Sequence, residues 1–112
     1  MSQITTHILD TAKGKPAAGV PVTLAQQTIT GWQALAQGIT NADGRIMDLL
    51  FKDTVLATGE YRLIFETEVY FTLQHIATFY PTVEIRFYVR DAAHYHVPLL
   101  LSPFGYTTYR GS

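Results

Sequence analysis

The sequence has no cysteine, few charged residues and no long apolar run. Without cysteine, the chain has no disulfide, no thiolate metal ligand and no cysteine nucleophile. Its Lys and Arg residues form no cluster and the formal net charge is −1, so we expect no nucleic-acid partner, because such a partner requires a basic face. Apolar runs such as VPLLL (97–101) are too short to span a bilayer, and no membrane partner is expected either.

Two further features that the sequence lacks bear on the cellular location of the protein and on its assembly. The first residues, MSQITTHILD, have no basic segment followed by an apolar one, so they do not resemble a secretory signal and we expect a cytoplasmic protein. Charged residues make up only 15% of the chain, against 47% apolar residues. A small monomer normally displays more charge, so part of the surface is expected to be buried against other copies of the chain.

Short strand-like segments separated by turn residues fill most of the sequence. The length of 112 residues suits one domain, over 1–112. The alternation of apolar and polar residues typical of a strand is clearest over 83–89. One short helix is predicted within 66–76, where Val69, Leu73 and Ile76 recur at helical spacing. The pattern as a whole predicts an all-β sandwich of about eight strands. The other strand-like segments are 4–10, 20–27, 31–40, 59–67, 94–102 and 106–112.

Two histidines lie two residues apart in the apolar segment HYHVPLLLS. Alternate residues of a strand share a face, so His94 and His96 point to one side, and Val97, Leu99 and Leu101 point to the other. The face with the aliphatic side chains is the natural core face. We therefore expect His96 to face outward, toward solvent or a partner subunit.

His7 is expected to face outward from the first strand in the same way. The simplest interpretation of each histidine is a polar residue on a half-solvated sheet. A zinc site is a second interpretation, because His94 and His96 on one strand face can join a third ligand, for which His7 is the candidate. The spacing permits zinc without indicating it, and no carboxylate is placed to support the ligands.

Arg45 and the last residues also have ordinary interpretations. Arg45 follows the turn-forming residues NADG (41–44) and, taken alone, is a solvated turn charge. Tyr109 and Arg110 are edge-strand residues on the same reading. The sequence stops at Ser112, directly after an aromatic strand, and termini fray unless something holds them. We therefore expect the terminal carboxylate to lie near that strand.

Two separated stretches resemble the signatures of the transthyretin-like family: HILDTAKGKPAAGVPV (7–22) and YHVPLLLSPFGYT (95–107). NADGR and the final YRGS are similar to the enzymatic branch of that family, the 5-hydroxyisourate hydrolases. The hormone carriers of the superfamily have threonine where this chain has His96, and they continue past the tetrapeptide. Thr107 stands where many members have serine, which keeps the hydroxyl.

The resemblance implies an eight-stranded, two-sheet β-sandwich with one short helix. It implies a homotetramer, a dimer of dimers, with sites at the dimer–dimer interface. The implied reaction opens the ring amide of 5-hydroxyisourate, giving 2-oxo-4-hydroxy-4-carboxy-5-ureidoimidazoline in urate breakdown, without metal or cofactor. The implied catalytic residues are His7, Arg45 and His96, and the implied substrate-binding residues are His7, Arg45, Tyr109, Arg110, Gly111 and Ser112.

Such a reaction needs a base for water and a cation for the developing oxyanion. A histidine suits the first role because its ordinary pKa of about 6.5 lies near working pH. We expect His96, oriented with His7, to activate water and Arg45 to polarise the carbonyl, while which histidine takes the proton stays open. His94 is expected to be structural or to support a site residue without touching substrate. A ligand carrier and a purely structural β-sandwich are the alternatives.

Overall fold

Nine strands and one helix make up the fold, and the computed structural model describes the whole chain, residues 1–112. The all-β prediction is confirmed, with two strands of only two residues each among the nine. The elements are β1 (Ile4–Asp10), β2 (Lys15–Pro16), β3 (Pro21–Thr28), β4 (Gly31–Ile39), β5 (Arg45–Ile46), β6 (Gly59–Phe65), α1 (Thr67–Thr72), β7 (Val83–Val89), β8 (Tyr95–Ser102) and β9 (Gly105–Thr108).

The strands form two sheets. One has the order β2-β1-β8-β9, with β5 also paired to β1, and the other has the order β4-β3-β6-β7. The β1–β8 pair is parallel, and the other pairs are antiparallel. The parallel pair joins the first long strand of the chain to one of the last, and it thereby brings both signature stretches into one sheet.

The core lies between the two sheets, and on β1 and β8 its aliphatic side chains recur at every second or fourth residue. On β1, Ile4 and Ile8 are fully buried, and on β8 the buried side chains include Val97 and Leu99. The intervening residues His7 and His96 are half-buried. Both histidines therefore point away from the core, as predicted, because neighbouring side chains of a strand project to opposite faces.

The predicted helix is present but shorter than the segment 66–76. It has six residues, and its buried side chains are Thr67, Tyr70 and Phe71. Val69 and Leu73, whose helical spacing indicated the helix, are 45% and 77% exposed. The reason is that Tyr70 and Phe71 are larger than the aliphatic residues and pack inward together. No helix of the chain has the length and apolar character needed to cross a membrane.

Candidate active site

Three neighbouring strands bring His7, Arg45 and His96 to one outer sheet face. In the β1–β8 pair, Thr5 lies opposite His96 and His7 lies opposite Pro98. In the β1–β5 pair, His7 lies opposite Arg45. Because residues directly opposite each other on paired strands project to the same face, the two imidazoles and the guanidinium share it. The two outer strands lie roughly 10 Å apart on either side of β1. The Arg45 guanidinium is near enough for its charge to lower the pKa of His96.

A tight turn fixes Arg45 beside β1. The Asn41 Oδ1 atom accepts hydrogen bonds from the backbone N–H groups of Asp43 at 2.9 Å and Arg45 at 3.0 Å. Gly44 has φ of 73°, and a Cβ atom there would lie 2.5 Å from the Ile8 carbonyl oxygen. That position therefore requires glycine, both for the left-handed conformation and for the close approach to β1.

A buried hydroxyl holds the inner side of the His96 ring. The Thr5 Oγ1 atom lies 2.7 Å from His96 Nδ1 and 2.8 Å from His94 Nε2, and Thr5 is fully buried. The ring centroids of the two histidines are 6.2 Å apart. With Nδ1 engaged by Thr5, Nε2 of His96 is the nitrogen left for a substrate. Reasoning from the sequence missed Thr5, because its contacts depend on pairing two strands that are about ninety residues apart.

The tail returns to β8 at His96. The Gly111 N–H donates to the His96 carbonyl oxygen at 2.8 Å. A Cβ atom on Gly111 would lie 2.7 Å from His96 Cδ2 and 3.1 Å from Pro98 Cγ, so the tail backbone lies directly against the imidazole. The predicted last strand, 106–112, was too long, since β9 ends at Thr108 and only an isolated bridge at Gly111 follows.

The other tail residues do not contact the imidazoles of His7 and His96 within the single chain, although the Arg110 guanidinium donates to the His94 carbonyl oxygen at 3.4 Å. The Arg110 guanidinium stacks 4.3 Å over the Tyr95 ring, on the core side of β8. Tyr109 is 54% exposed and helps line a recess of about 370 Å³ with Arg110. Ser112 is exposed next to Gly111. Substrate binding by Tyr109, Arg110 and Ser112 stays a prediction. The catalytic roles of His7, Arg45 and His96, which do share one face, stay a prediction as well.

The environment of the face keeps both imidazoles neutral. Burial, and then the Arg45 charge, lower the pKa of His7 from 6.5, against a smaller opposing effect of the Asp43 backbone and carboxylate. Burial lowers the pKa of His96 from 6.5 as well, followed by the charges of Arg45, His94 and His7. At neutral pH each ring is therefore uncharged and has a free lone pair, which is the state that a general base requires.

The face is open in the single chain. Four roomy recesses, of about 370 to 550 Å³, are lined by residues other than His7, Arg45 and His96. No group of three or more His, Cys, Asp or Glu side chains is placed to hold a metal ion. The zinc interpretation of His7, His94 and His96 thus finds no assembled ligand set in one chain, and metal independence stays a prediction.

The fold and this face together define a transthyretin-like sandwich that carries a histidine–arginine cluster. The family model described as the HIUase/Transthyretin family matches residues 4–111. The chain belongs to this family.

Two relatives and two solved structures show where the similarity lies. The chain is 47% identical over 110 residues to a 5-hydroxyisourate hydrolase of Salmonella dublin, covering 97% of this chain and 80% of that protein. It is 44% identical over 114 residues to the 5-hydroxyisourate hydrolase of Mus musculus, covering 99% and 96%. Sea bream transthyretin in complex with thyroxine superposes with a TM-score of 0.91 at 36% identity, covering 98% and 95%. The 5-hydroxyisourate hydrolase of Klebsiella pneumoniae superposes with a TM-score of 0.85 at 38% identity, covering 97% and 98%.

The backbone alone does not separate a hydrolase from a carrier. The thyroxine-bound transthyretin superposes at least as well as the bacterial hydrolase, with TM-scores of 0.91 and 0.85. The difference has to come from side chains, since one fold can support unrelated functions through different sites. In this chain the candidate side chains are His7, Arg45 and His96, and their roles stay a prediction.

A methyl group at Gly111 tests whether the tail positions the His96 ring. Gly111→Ala is expected to lower kcat at least about tenfold, because the added Cβ atom overlaps His96 Cδ2 and pushes the ring or the tail aside. The measurement is kcat together with the thermal midpoint. Gly14→Ala is the control for a methyl group added in open space, since a Cβ atom there meets nothing within 4 Å; Gly14, unlike Gly111, has a positive φ, so this control should lose some stability and keep kcat. Normal kcat in Gly111→Ala would show that the tail contact has no catalytic role.

Proposed function

We propose that this chain hydrolyses 5-hydroxyisourate, opening the ring amide to give 2-oxo-4-hydroxy-4-carboxy-5-ureidoimidazoline in urate breakdown. The observation that carries the proposal is that His7, Arg45 and His96 converge on one outer face. A carrier needs no base, and this face holds two neutral imidazoles beside a fixed cation. The names of relatives at 44–47% identity support the same substrate.

In the proposed first step, His96 is the general base. Its outward nitrogen takes a proton from water, and the resulting hydroxide forms a bond to the carbonyl carbon of the ring amide. The electron pair of the C=O bond moves to oxygen, and the Arg45 guanidinium stabilises this oxyanion. A positioned base typically contributes about 10²–10⁴ in rate, so His96 carries a large share of the catalysis.

In the second step, the oxyanion collapses and the ring C–N bond breaks. The leaving nitrogen takes the proton from the His96 imidazolium, which restores the neutral base and balances the protons. His7 lies opposite Arg45 in the β1–β5 pair and orients substrate between the guanidinium and His96. Arg45 also keeps His96 neutral between turnovers, because its charge lowers the pKa of that ring.

The proposal includes a homotetramer, a dimer of dimers, with the site at the dimer–dimer interface. The face that carries the histidines is open in one chain, and a second copy laid against it would exclude water from the reaction. Large apolar side chains such as Phe104 and Tyr106 are 68% and 42% exposed, and an interface would cover such residues. Light scattering tests this point: the expected mass is four times 12.5 kDa, and a monomer mass contradicts the assembly.

The tail completes the proposed substrate site. Tyr109, Arg110, Gly111 and Ser112 would frame the ring of the substrate, with Gly111 already seated against His96. Since Tyr109 and Arg110 make no hydrogen bond to the imidazoles of His7 or His96 in their own chain, their contribution would go to a site shared between copies. The cytoplasmic location expected from the sequence stays a prediction.

The test uses substrate made in place. Urate oxidase converts urate to 5-hydroxyisourate, and its ultraviolet decay is followed with and without the purified protein. We expect the decay rate to rise in proportion to protein concentration and to stay the same in excess chelator. Loss of activity with chelator, restored by zinc, would support the metal alternative. An unchanged decay rate together with saturable binding of a small aromatic ligand would make the protein a carrier.

A further inference from the structure

We propose that Thr5 is a positioning residue for the hydrolysis: its hydroxyl links His96 to His94 and keeps Nε2 of His96 unprotonated and facing the substrate. This inference rests on the proposed function, because it concerns the base of that reaction. It gives a role to two residues that the mechanism above does not use. It also makes His94 a partner of the base instead of a merely structural residue.

The linkage follows from counting protons around Thr5. A hydroxyl has one hydrogen and two acceptor lone pairs. The Thr5 oxygen lies 2.8 Å from His94 Nε2 and 2.7 Å from His96 Nδ1, and both distances are those of good hydrogen bonds. Thr5 is fully buried, so its hydroxyl has no free access to solvent. Because a buried donor without a partner is costly, the hydroxyl donates to one imidazole and accepts from the other.

Two arrangements satisfy this count. In the first, His96 Nδ1–H donates to Thr5, and the Thr5 hydroxyl donates to His94 Nε2. In the second, His94 Nε2–H donates to Thr5, and the Thr5 hydroxyl donates to His96 Nδ1. The two arrangements put the single proton of the neutral His96 ring on opposite nitrogens, since a neutral imidazole has one N–H.

Only the first arrangement gives a working base. With the proton on Nδ1, the Nε2 atom of His96 has a free lone pair for the proton of water. In the second arrangement Nε2 carries the proton, and the ring has no outward acceptor. His94 therefore supports catalysis by accepting a hydrogen bond from the Thr5 hydroxyl. The Thr5 oxygen is then left to accept from His96 Nδ1–H, which keeps the proton on that nitrogen, as the orienting partner of a histidine base does in other sites.

The same bonds serve the charged intermediate. When Nε2 of His96 gains a proton, Nδ1–H continues to donate to Thr5, so no side chain has to reorient during turnover. The Thr5 oxygen faces the ring at the moment when the ring becomes an imidazolium, and it stabilises that charge. The linkage thus acts on kcat more than on substrate binding, because the charge exists only along the reaction path.

Removing the hydroxyl tests the linkage kinetically. Thr5→Val is expected to lower kcat roughly ten- to a hundredfold while KM changes less than about twofold, since the base loses its orientation but the substrate contacts stay. Thr5→Ser keeps the hydroxyl and should restore most of kcat. Thr6→Val is the matched control: Thr6 is the next residue of β1, is fully buried and donates to the Val97 carbonyl oxygen, and its hydroxyl makes no hydrogen bond to a histidine. It should lose stability and keep kcat.

A direct readout of the proton position separates this inference from the function. Two-bond ¹H–¹⁵N spectra of the imidazoles report which ring nitrogen carries the proton. In the wild-type protein we expect His96 protonated on Nδ1 and His94 Nε2 unprotonated, and in Thr5→Val we expect His96 to shift toward the Nε2–H form. A wild-type spectrum with His96 protonated on Nε2 overturns the inference, and so does normal kcat in Thr5→Val.

Each outcome points to one of the two proposals. If the wild-type protein does not hydrolyse 5-hydroxyisourate, the proposed function fails, and the spectra still decide whether Thr5 sets the His96 tautomer. If Thr5→Val does not fold, the inference is tested by kcat of Thr5→Ser, which should stay close to that of the wild-type protein, and by the wild-type spectra, which should show His96 protonated on Nδ1. A second kinetic check is His94→Phe, which should lower kcat by a similar factor, and the double variant should lose no more than either single variant.

Discussion

Replacing His96 with asparagine is expected to lower kcat by about 10²–10⁴-fold while the chain stays folded and assembled. The asparagine amide can occupy the place of Nδ1 and keep the hydrogen bond to Thr5, but it has no basic nitrogen for water. KM should change little, because the proposed substrate contacts of Arg45 and the tail would remain. Steady-state kinetics on 5-hydroxyisourate, with circular dichroism on the same preparation, measure both parts of the expectation.

His75→Asn is the matched control for this substitution. His75 is exposed after the helix and has φ of 59°, a conformation that asparagine adopts readily. The His75→Asn substitution makes the same chemical change away from the outer face of β1 and β8, so kcat should stay normal. If His96→Asn retains a nearly normal kcat, His96 is not the base, and the next candidate on the same face is His7.

Replacing Arg45 with methionine is expected to lower kcat/KM by about 10²–10³-fold, the usual effect of losing one oxyanion donor. The substitution should also move the acidic limb of the pH profile upward. Arg45 lowers the pKa of His7 and His96, because its charge disfavours the protonated imidazoles. Without Arg45 both pKa values rise toward 6.5, so the active neutral form is lost at a higher pH as the solution is acidified.

Two further variants separate the charge of Arg45 from its shape. Arg45→Lys keeps the positive charge and should leave the acidic limb in place, while it loses the planar fork and part of kcat/KM. Arg86→Met is the matched control, since Arg86 is an exposed residue of the other sheet that pairs with Glu60. An acidic limb that does not move in Arg45→Met would show that the guanidinium does not set the protonation of the base.

The outward direction of His7 and His96 could be predicted from the sequence because it depends only on strand period. Side chains alternate along β1 and β8, and the aliphatic residues identify the core face. The helix was harder to predict, since Val69 and Leu73 fit a helical pattern but two aromatic residues, Tyr70 and Phe71, take the buried positions. Short elements give too few residues for periodicity to decide which face turns inward.

Contacts between parts of the chain that are distant in sequence could not be predicted from the sequence. The hydrogen bond between Thr5 and His96 depends on the register of the parallel β1–β8 pair. The close contact of Gly111 with the His96 ring depends on the direction that the chain takes after β9. The resemblance placed Tyr109 and Arg110 in the site, while the single chain turns Arg110 toward Tyr95. Their placement in the proposed site would depend on a partner subunit, about which the pattern of one chain carries no information.

The most direct measurement compares the catalysed decay of 5-hydroxyisourate between the wild-type protein and a His7→Asn/His96→Asn double variant at equal concentration. We predict that the wild-type protein accelerates the decay in proportion to its concentration, while the double variant leaves it at the spontaneous rate. Equal acceleration by both proteins would place the chemistry away from the outer face of β1 and β8. No acceleration by either protein would contradict the proposal that this chain hydrolyses 5-hydroxyisourate.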